Sequence, residues 1–298
     1  MSINTAASAS SRSTGAVTAT AVAITILSWA SAFPAIRAGL AAFGPLELGA
    51  LRFGIAAVPA AIILLVMRPP LPRLGEVWRF ACGGVVFVAL YTVLLNIGEQ
   101  TVSAGAASFI INVSPILTAI LAMVMLGERF SGLAWLGTFL SFAGVGVIAL
   151  GEGQGLEFNQ GALLILAAAF CTTINTVVQK PLFQRHKPLT VSAWNMVVGA
   201  ICLAPGLPSA FAQAASADTQ ALGAAIYLGI VPSLIAYGSW AVALSRLPAS
   251  RASSFMYCVP PVATLIGFVW LDEVPGLLGL IGGVLALGGV VMVNLRRR

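Results

Sequence analysis

Few side chains in this sequence could do chemistry, and those that could sit inside long apolar runs. Between Ala104 and Glu128, the residues Ser108, Asn112, Pro115 and Ala119 recur at helical spacing on one face. The pattern returns between Ala249 and Glu273: a gapless shift of 145 positions sets Ser253, Tyr257, Pro260 and Thr264 on those four. Hydroxyls and an amide supply hydrogen bonds, not a nucleophile with its base. In lipid a proline leaves a carbonyl without its intrahelical donor, so both Pro-interrupted faces are expected to point at protein or a water-filled cavity. Pro115 and Pro260, at matching places, suit a hinge pair, although prolines are also tolerated as plain kinks in membrane helices.

Other polar and aromatic positions gather on four runs. They are Trp29 and Phe33 with Ser28; Tyr91, Thr92, Asn96 and Glu99; Thr172, Thr173, Asn175 and Gln179; and Tyr237 with Trp240. Each can line a binding cavity, bond helix to helix, or sit in an interfacial belt. Arg52 lies seven residues past Pro45, roughly 10 Å into a helix. An ionisable group at that depth needs a partner or water, so it either locks helices together or attracts a carboxylate. Arg37 is nearer a helix end and is expected to snorkel. Glu128 and Glu273 match in the repeat, but stand just before the following helices and read as caps.

The elements that must position these groups are membrane helices. Of 298 residues, 59% are hydrophobic and 8% charged, against roughly 25% charged in a soluble domain. The formal charge of +6 comes from scattered loop residues and implies no nucleic-acid partner. Cys82, Cys171, Cys202 and Cys258 have no metal-like spacing and behave as small hydrophobes. His186, the only histidine, stands between Arg185 and Lys187 and is expected in a solvated loop. No cofactor or metal is implied.

About twenty apolar residues span a bilayer. The interruptions give spans at 16-41, 45-67, 76-98, 101-126 and 132-150, then at 160-182, 189-212, 220-243, 248-271 and 275-294. Residues 1-15 are polar, small and expected as a disordered tail. The first repeat is then 16-150, the inter-repeat loop 151-158, the second repeat 159-294 and the basic C-terminus 295-298. Ala30-Ser31-Ala32 resembles a signal-peptide cleavage site. The run continues past Pro34, however, and pairs with the sixth span at a shift of 143, which sets Arg37 on Lys180 and Pro45 on Pro188.

The predicted fold is therefore all-α: ten transmembrane helices as two five-helix repeats around a central cavity. Ten spans put thirteen of the fifteen Lys and Arg on one side and leave only Arg37 and Arg52, both within helices. Basic short loops stay in the cytoplasm, so both termini are expected inside. An odd number of spans per repeat inverts the second copy, and such carriers bind substrate near the midplane. Small-residue patterns at Ser141-Gly146, Gly279-Gly283 and Gly288-Gly289 let backbones approach closely. They mark the fifth and tenth spans as scaffold or as homodimer contacts.

Two five-helix halves, Trp29 with Phe33, Leu51-Arg52-Phe53, and Pro115 followed by Leu126-Gly127-Glu128 together resemble the drug/metabolite transporter superfamily, EamA type. The chain is similar overall to its YddG-type amino acid exporters. That resemblance implies a ten-helix basket in the cytoplasmic (inner) membrane that exports neutral amino acids, aromatic ones included, or related metabolites by alternating access. It implies zwitterion contacts at Ser108, Asn112, Ser253 and Tyr257, and side-chain walls at Trp29, Phe33, Tyr91, Tyr237 and Trp240. Asp272 where the first copy has Gly127, and Tyr257 where it has Asn112, make the cavity asymmetric. Carriage of another small metabolite or drug (a sugar, nucleoside or cation) and a channel remain the alternatives. An enzyme would need a nucleophile, metal cluster or carboxylate pair in the spans, and the sequence offers none.

Overall fold

The computed structural model describes residues 3-114, 116-118, 120-121, 132-152, 159-246 and 255-295. Among them there is helix and connecting turn, with no strand. Six helices are long and apolar enough to cross a membrane: α1 (Ala16–Leu40), α2 (Pro45–Met67), α3 (Leu74–Gly98), α6 (Gln160–Gln184), α7 (Pro188–Ala214) and α8 (Thr219–Trp240). Shorter apolar helices stand at α4 (Ala104–Thr118), α5 (Trp135–Gly151), α9 (Met256–Leu271) and α10 (Leu277–Met292). The polar stretch expected as a tail is helical from Ile3 onward and continues into α1. Its many alanines carry high intrinsic helix propensity. The far end of the fourth span, residues 153-158 of the inter-repeat loop, and the positions of Pro115 and Ser253 lie outside the described residues.

Large apolar side chains such as Val58, Ile62, Leu65, Phe139 and Val269 point outward. That is the surface a lipid solvent accepts and water does not. Inside, α1, α3, α4, α6 and α9 share one core in which Phe33, Ile36, Leu95, Ile110 and Ile165 are buried. A second core joins α2, α3 and α7 through Phe53, Val88 and Met196.

The small-residue faces of α5 and α10 close on each other. A methyl added at Gly144 would lie 2.5 Å from the Gly282 carbonyl oxygen, and one at Gly289 would lie 2.3 Å from that of Gly137. Between these two approaches the Ser141 hydroxyl donates to the Ala286 carbonyl at 3.0 Å. Since Gly137 matches Gly282 and Gly144 matches Gly289 under the 145 shift, equivalent helices cross here and run in opposite directions. The faces expected for scaffold or homodimer are thus occupied within one chain. A second copy would have to meet the remaining sides.

Both α3 and α8 leave α-geometry at matching places, with wider π-turns at Gly83–Leu90 and Val231–Ile235. In α3 this goes with close backbone contact: a methyl added at Gly84 would come within 2.9 Å of the Gly199 amide of α7. In α8, Pro232 lacks the N–H that the Leu228 carbonyl needs. The Ser233 hydroxyl replaces it, donating to Leu228 O at 3.0 Å. Such local widenings cluster at functional sites.

Candidate functional site

The π-turn of α8 is held from two other helices. Trp29 on α1 donates from Nε1 to the Pro232 carbonyl at 3.3 Å. Arg52 on α2 donates from Nε to the Ser233 hydroxyl oxygen at 3.1 Å. The α2 and α8 backbones approach closely just before this, because Gly229 has no side chain: a methyl there would be 3.0 Å from the Arg52 carbonyl oxygen. One turn further along α8 stand Tyr237 and Trp240, whose rings lie 5.7 and 5.6 Å from that of Trp29. Trp29, Tyr91, Tyr237 and Trp240 are each partly accessible, whereas Ser233 is fully buried and Arg52 is 9% exposed.

Arg52 carries the electrostatic weight of this region. Its guanidinium lies 5.0 Å from the centroid of the Phe53 ring, and its charge acts on Tyr91, Tyr237 and Glu99. Among the described residues no carboxylate lies within ion-pair distance of it. Of the two roles left open for Arg52, the contacts include one lock, to Ser233, and leave most of the guanidinium's five donors for something else. A buried cation without a counter-ion is costly in a bilayer. The arrangement is one that an anionic group on a bound molecule would complete, with aromatic rings beside it for an apolar part.

The expected site residues divide into separate neighbourhoods. Trp29, Tyr237 and Trp240 meet, while Tyr91 packs against Phe87 at 5.6 Å within the field of Arg52. Phe33 is packed into the main core at 6% exposure. On α4 the polar groups bond within their own helix: the Ser108 hydroxyl to the Gly105 carbonyl at 2.6 Å, and the Asn112 amide to Ser108 O at 2.9 Å. Tyr257 packs with Ile116 and Val290, away from the aromatic group. The hydroxyl of Thr264 folds back onto Pro260 O, and Gly105 nestles against Thr264 across the α4–α9 contact. Among the described residues no group of three or more His, Cys, Asp or Glu could hold a metal.

The matched prolines have matching consequences. α-Geometry stops at Ile111 in α4, where Asn112 and Val113 form a turn, and it is replaced by a tighter 3₁₀ turn over Met256–Cys258 in α9. Both interruptions fall in the turn ahead of a proline, which has no N–H to offer the carbonyl four residues back. Pro260 itself sits in the first turn of Val259–Leu271, where its missing donor costs nothing.

Sequence reasoning missed Ser233 and Pro232. Their signal was a Pro-Ser pair inside an apolar span, which suggests a kink but not which arginine fills it. It also misplaced three charged or titratable groups. Arg37 does not snorkel: Nε donates to Glu273 at 2.8 Å. Glu273 caps α4, accepting the Ala104 N–H at 3.0 Å, not the helix that follows it. His186 is 4% exposed, bonded at 3.2 Å to Glu76 and edge-on to Phe80 at 5.4 Å. Glu76 also takes Arg185 at 2.7 Å, so the basic loop is tied down to α3 and not merely solvated.

The sequence pattern of the EamA-like transporter family matches residues 16–150 and again 159–295. A probable terminal-alkyne amino-acid exporter of Streptantibioticus cattleyicolor is 38% identical over 276 residues, 93% of each chain. The uncharacterized transporter YdfC of Bacillus subtilis is 35% identical over 271 residues, 90% of this chain and 88% of its own. A solved crystal structure at 21% identity covers 96% of this chain and 99% of that one with a TM-score of 0.61, which shows a common fold. The chain belongs to the EamA-like transporter family, with one family unit in each half.

Proposed function

We propose that this family member exports amino acids, neutral and aromatic ones included, across the cytoplasmic membrane by alternating access. The two units are inverted copies of five spans each, both termini are cytoplasmic, and the matched interruptions of α4 and α9 are the flexing points. The observation that carries the substrate class is Arg52: a buried guanidinium with no carboxylate partner among the described residues, beside Trp29, Tyr91, Tyr237 and Trp240. A zwitterion's carboxylate supplies the missing anion, and burying that charge unpaired would be prohibitive. The side chain then lies on aromatic walls that accept several sizes, because one methylene in an apolar pocket discriminates weakly. The exporter of S. cattleyicolor supports the same reading.

The test is uptake of labelled Phe, Met and Thr into proteoliposomes preloaded with unlabelled amino acid. Saturable counterflow with mutual competition is expected. If none of the three moves while a sugar, nucleoside or cationic drug does, the amino acid assignment fails and the carrier remains. Single-channel conductance steps in place of counterflow would make the protein a channel.

A further inference from the structure

Glu99 ends α3 and is fully buried, and neither of its carboxylate oxygens has a hydrogen-bond partner. Seven buried side-chain atoms lack partners among the described residues, and four of them lie on one face of this helix: Thr92 Oγ1, Asn96 Oδ1 and both oxygens of Glu99. Residues four and seven apart stack along a helix, so these atoms form a column running from Glu99 toward the level of Tyr91 and Arg52. Unpaired buried polar atoms are rare in folded proteins, and each calls for a reason such as a functional role or a bound water.

The surroundings of Glu99 make its charge state consequential. Arg37, from α1, donates from Nη1 to the Glu99 backbone carbonyl and from Nε to the Glu273 carboxylate at 2.8 Å. Glu273, from the α9–α10 junction, uses its other oxygen on the Ala104 N–H of α4. Arg52 from α2 and Tyr91 from α3 itself complete the titratable or charged groups acting on Glu99. α6 brings only Gly161 and Ile165 against the neighbouring Gly98. With Glu99 neutral, Arg37 is balanced by Glu273, and α1, α4 and α9 are tied together at this end. With Glu99 ionised, two carboxylates compete for one guanidinium.

We propose that Glu99 is a proton-binding site of the transport cycle: one carboxylate oxygen takes a proton from water at this end of the molecule and later returns it. Protonated, Glu99 leaves Arg37 to Glu273 and the end stays closed. Ionised, it draws Arg37 toward itself and loosens the tie. A carboxylate in apolar surroundings without donors is driven to the neutral form, so the arrangement seen here, with Arg37 held by Glu273, is the protonated one. A cleft of about 270 Å³ bordered by Arg37, Asp218 and Glu273 brings solvent to the Arg37–Glu273 pair, and movement of that pair would open Glu99 to it.

The inference deepens the carrier reading, and two measurements separate their fates. The first needs no transport. Infrared difference spectra of the purified protein at neutral pH should show the C=O stretch of a protonated carboxyl that disappears in Glu99→Gln. A spectrum identical in wild type and variant overturns the proposal, whatever the protein carries. The second compares counterflow, which reports the carrier alone, with net uptake under an imposed pH gradient. In wild type the gradient should raise net uptake several-fold relative to counterflow. In Glu99→Gln that ratio should fall to the value without a gradient. A variant that keeps the wild-type response, or a wild type that counterflows while ignoring the gradient, also overturns it.

Discussion

Two crossings between the halves of this molecule use the same repeat in opposite ways. Where α5 meets α10, glycines from each helix stand against the other's backbone and the Ser141 hydroxyl is satisfied across the seam by the Ala286 carbonyl. Where α8 meets α1 and α2, a proline breaks the ladder, a serine repairs it, and the repair is held by a buried arginine whose charge is not paired. At the first crossing the small-residue faces are filled by each other's backbone. The second has an unfilled requirement at its centre. A membrane carrier needs both, because close small-residue packing is what holds helices together in lipid, and strained or incompletely satisfied groups are what a substrate can complete.

The largest test of that contrast is Arg52→Met. Removing a charge-assisted partner worth about 2 kcal/mol should lower counterflow of neutral amino acids about 30-fold. The melting temperature in detergent should not fall, because deleting an unpaired buried charge removes its desolvation cost. Unchanged flux with a lowered melting temperature would make Arg52 a structural lock and erase the distinction between the crossings.

The converse test loads the other crossing. Gly289→Leu sets a side chain where even a methyl lies 2.3 Å from the Gly137 carbonyl oxygen. Overpacking of this kind costs about 1–3 kcal/mol, and should lower the melting temperature by several degrees while flux per folded molecule stays near wild type. Gly146 of α5 has nothing within 4 Å of an added methyl, so Gly146→Leu is the matched control and should melt normally. Equal losses in both variants would mean that the α5–α10 contact is not the seam described.

Much of the frame was legible in the sequence and little of the site was. Apolar run length gives the spans because bilayer thickness sets it, and the 145 shift exposes the repeat without any structure. That the fifth and tenth spans carry close-packing faces was readable as well, since Gly144 and Gly282 advertise it; that the two faces meet each other was not. Which side of a helix faces lipid was not, because cavity walls, cores and lipid-facing surfaces are all apolar here and periodicity loses its contrast. Ser108 and Asn112, expected as cavity groups, bond within α4, and periodicity alone does not say which side of that helix a cavity takes. Partners far apart in sequence were equally hidden. Arg37 and Glu273 are 236 residues apart, and no local pattern in the chain joins them.

The smallest expected effect falls on Ser233. Its hydroxyl touches no substrate in the arrangement proposed, and it acts by fixing Arg52 through Nε while satisfying the Leu228 carbonyl that Pro232 orphans. Ser233→Ala removes both bonds and leaves α8 its π-turn, since the missing proline N–H is unaffected. One such bond to a charged group is worth about 1.5 kcal/mol net at the low end, so the KM for Phe should rise about tenfold with the maximal rate little changed. In Arg52→Met, the same serine substitution should then add almost nothing, because residues that act through one contact are not additive. If Ser233→Ala instead costs the same factor on either background, the serine serves only the bend in α8, and the link between the broken helix and the charged site is severed.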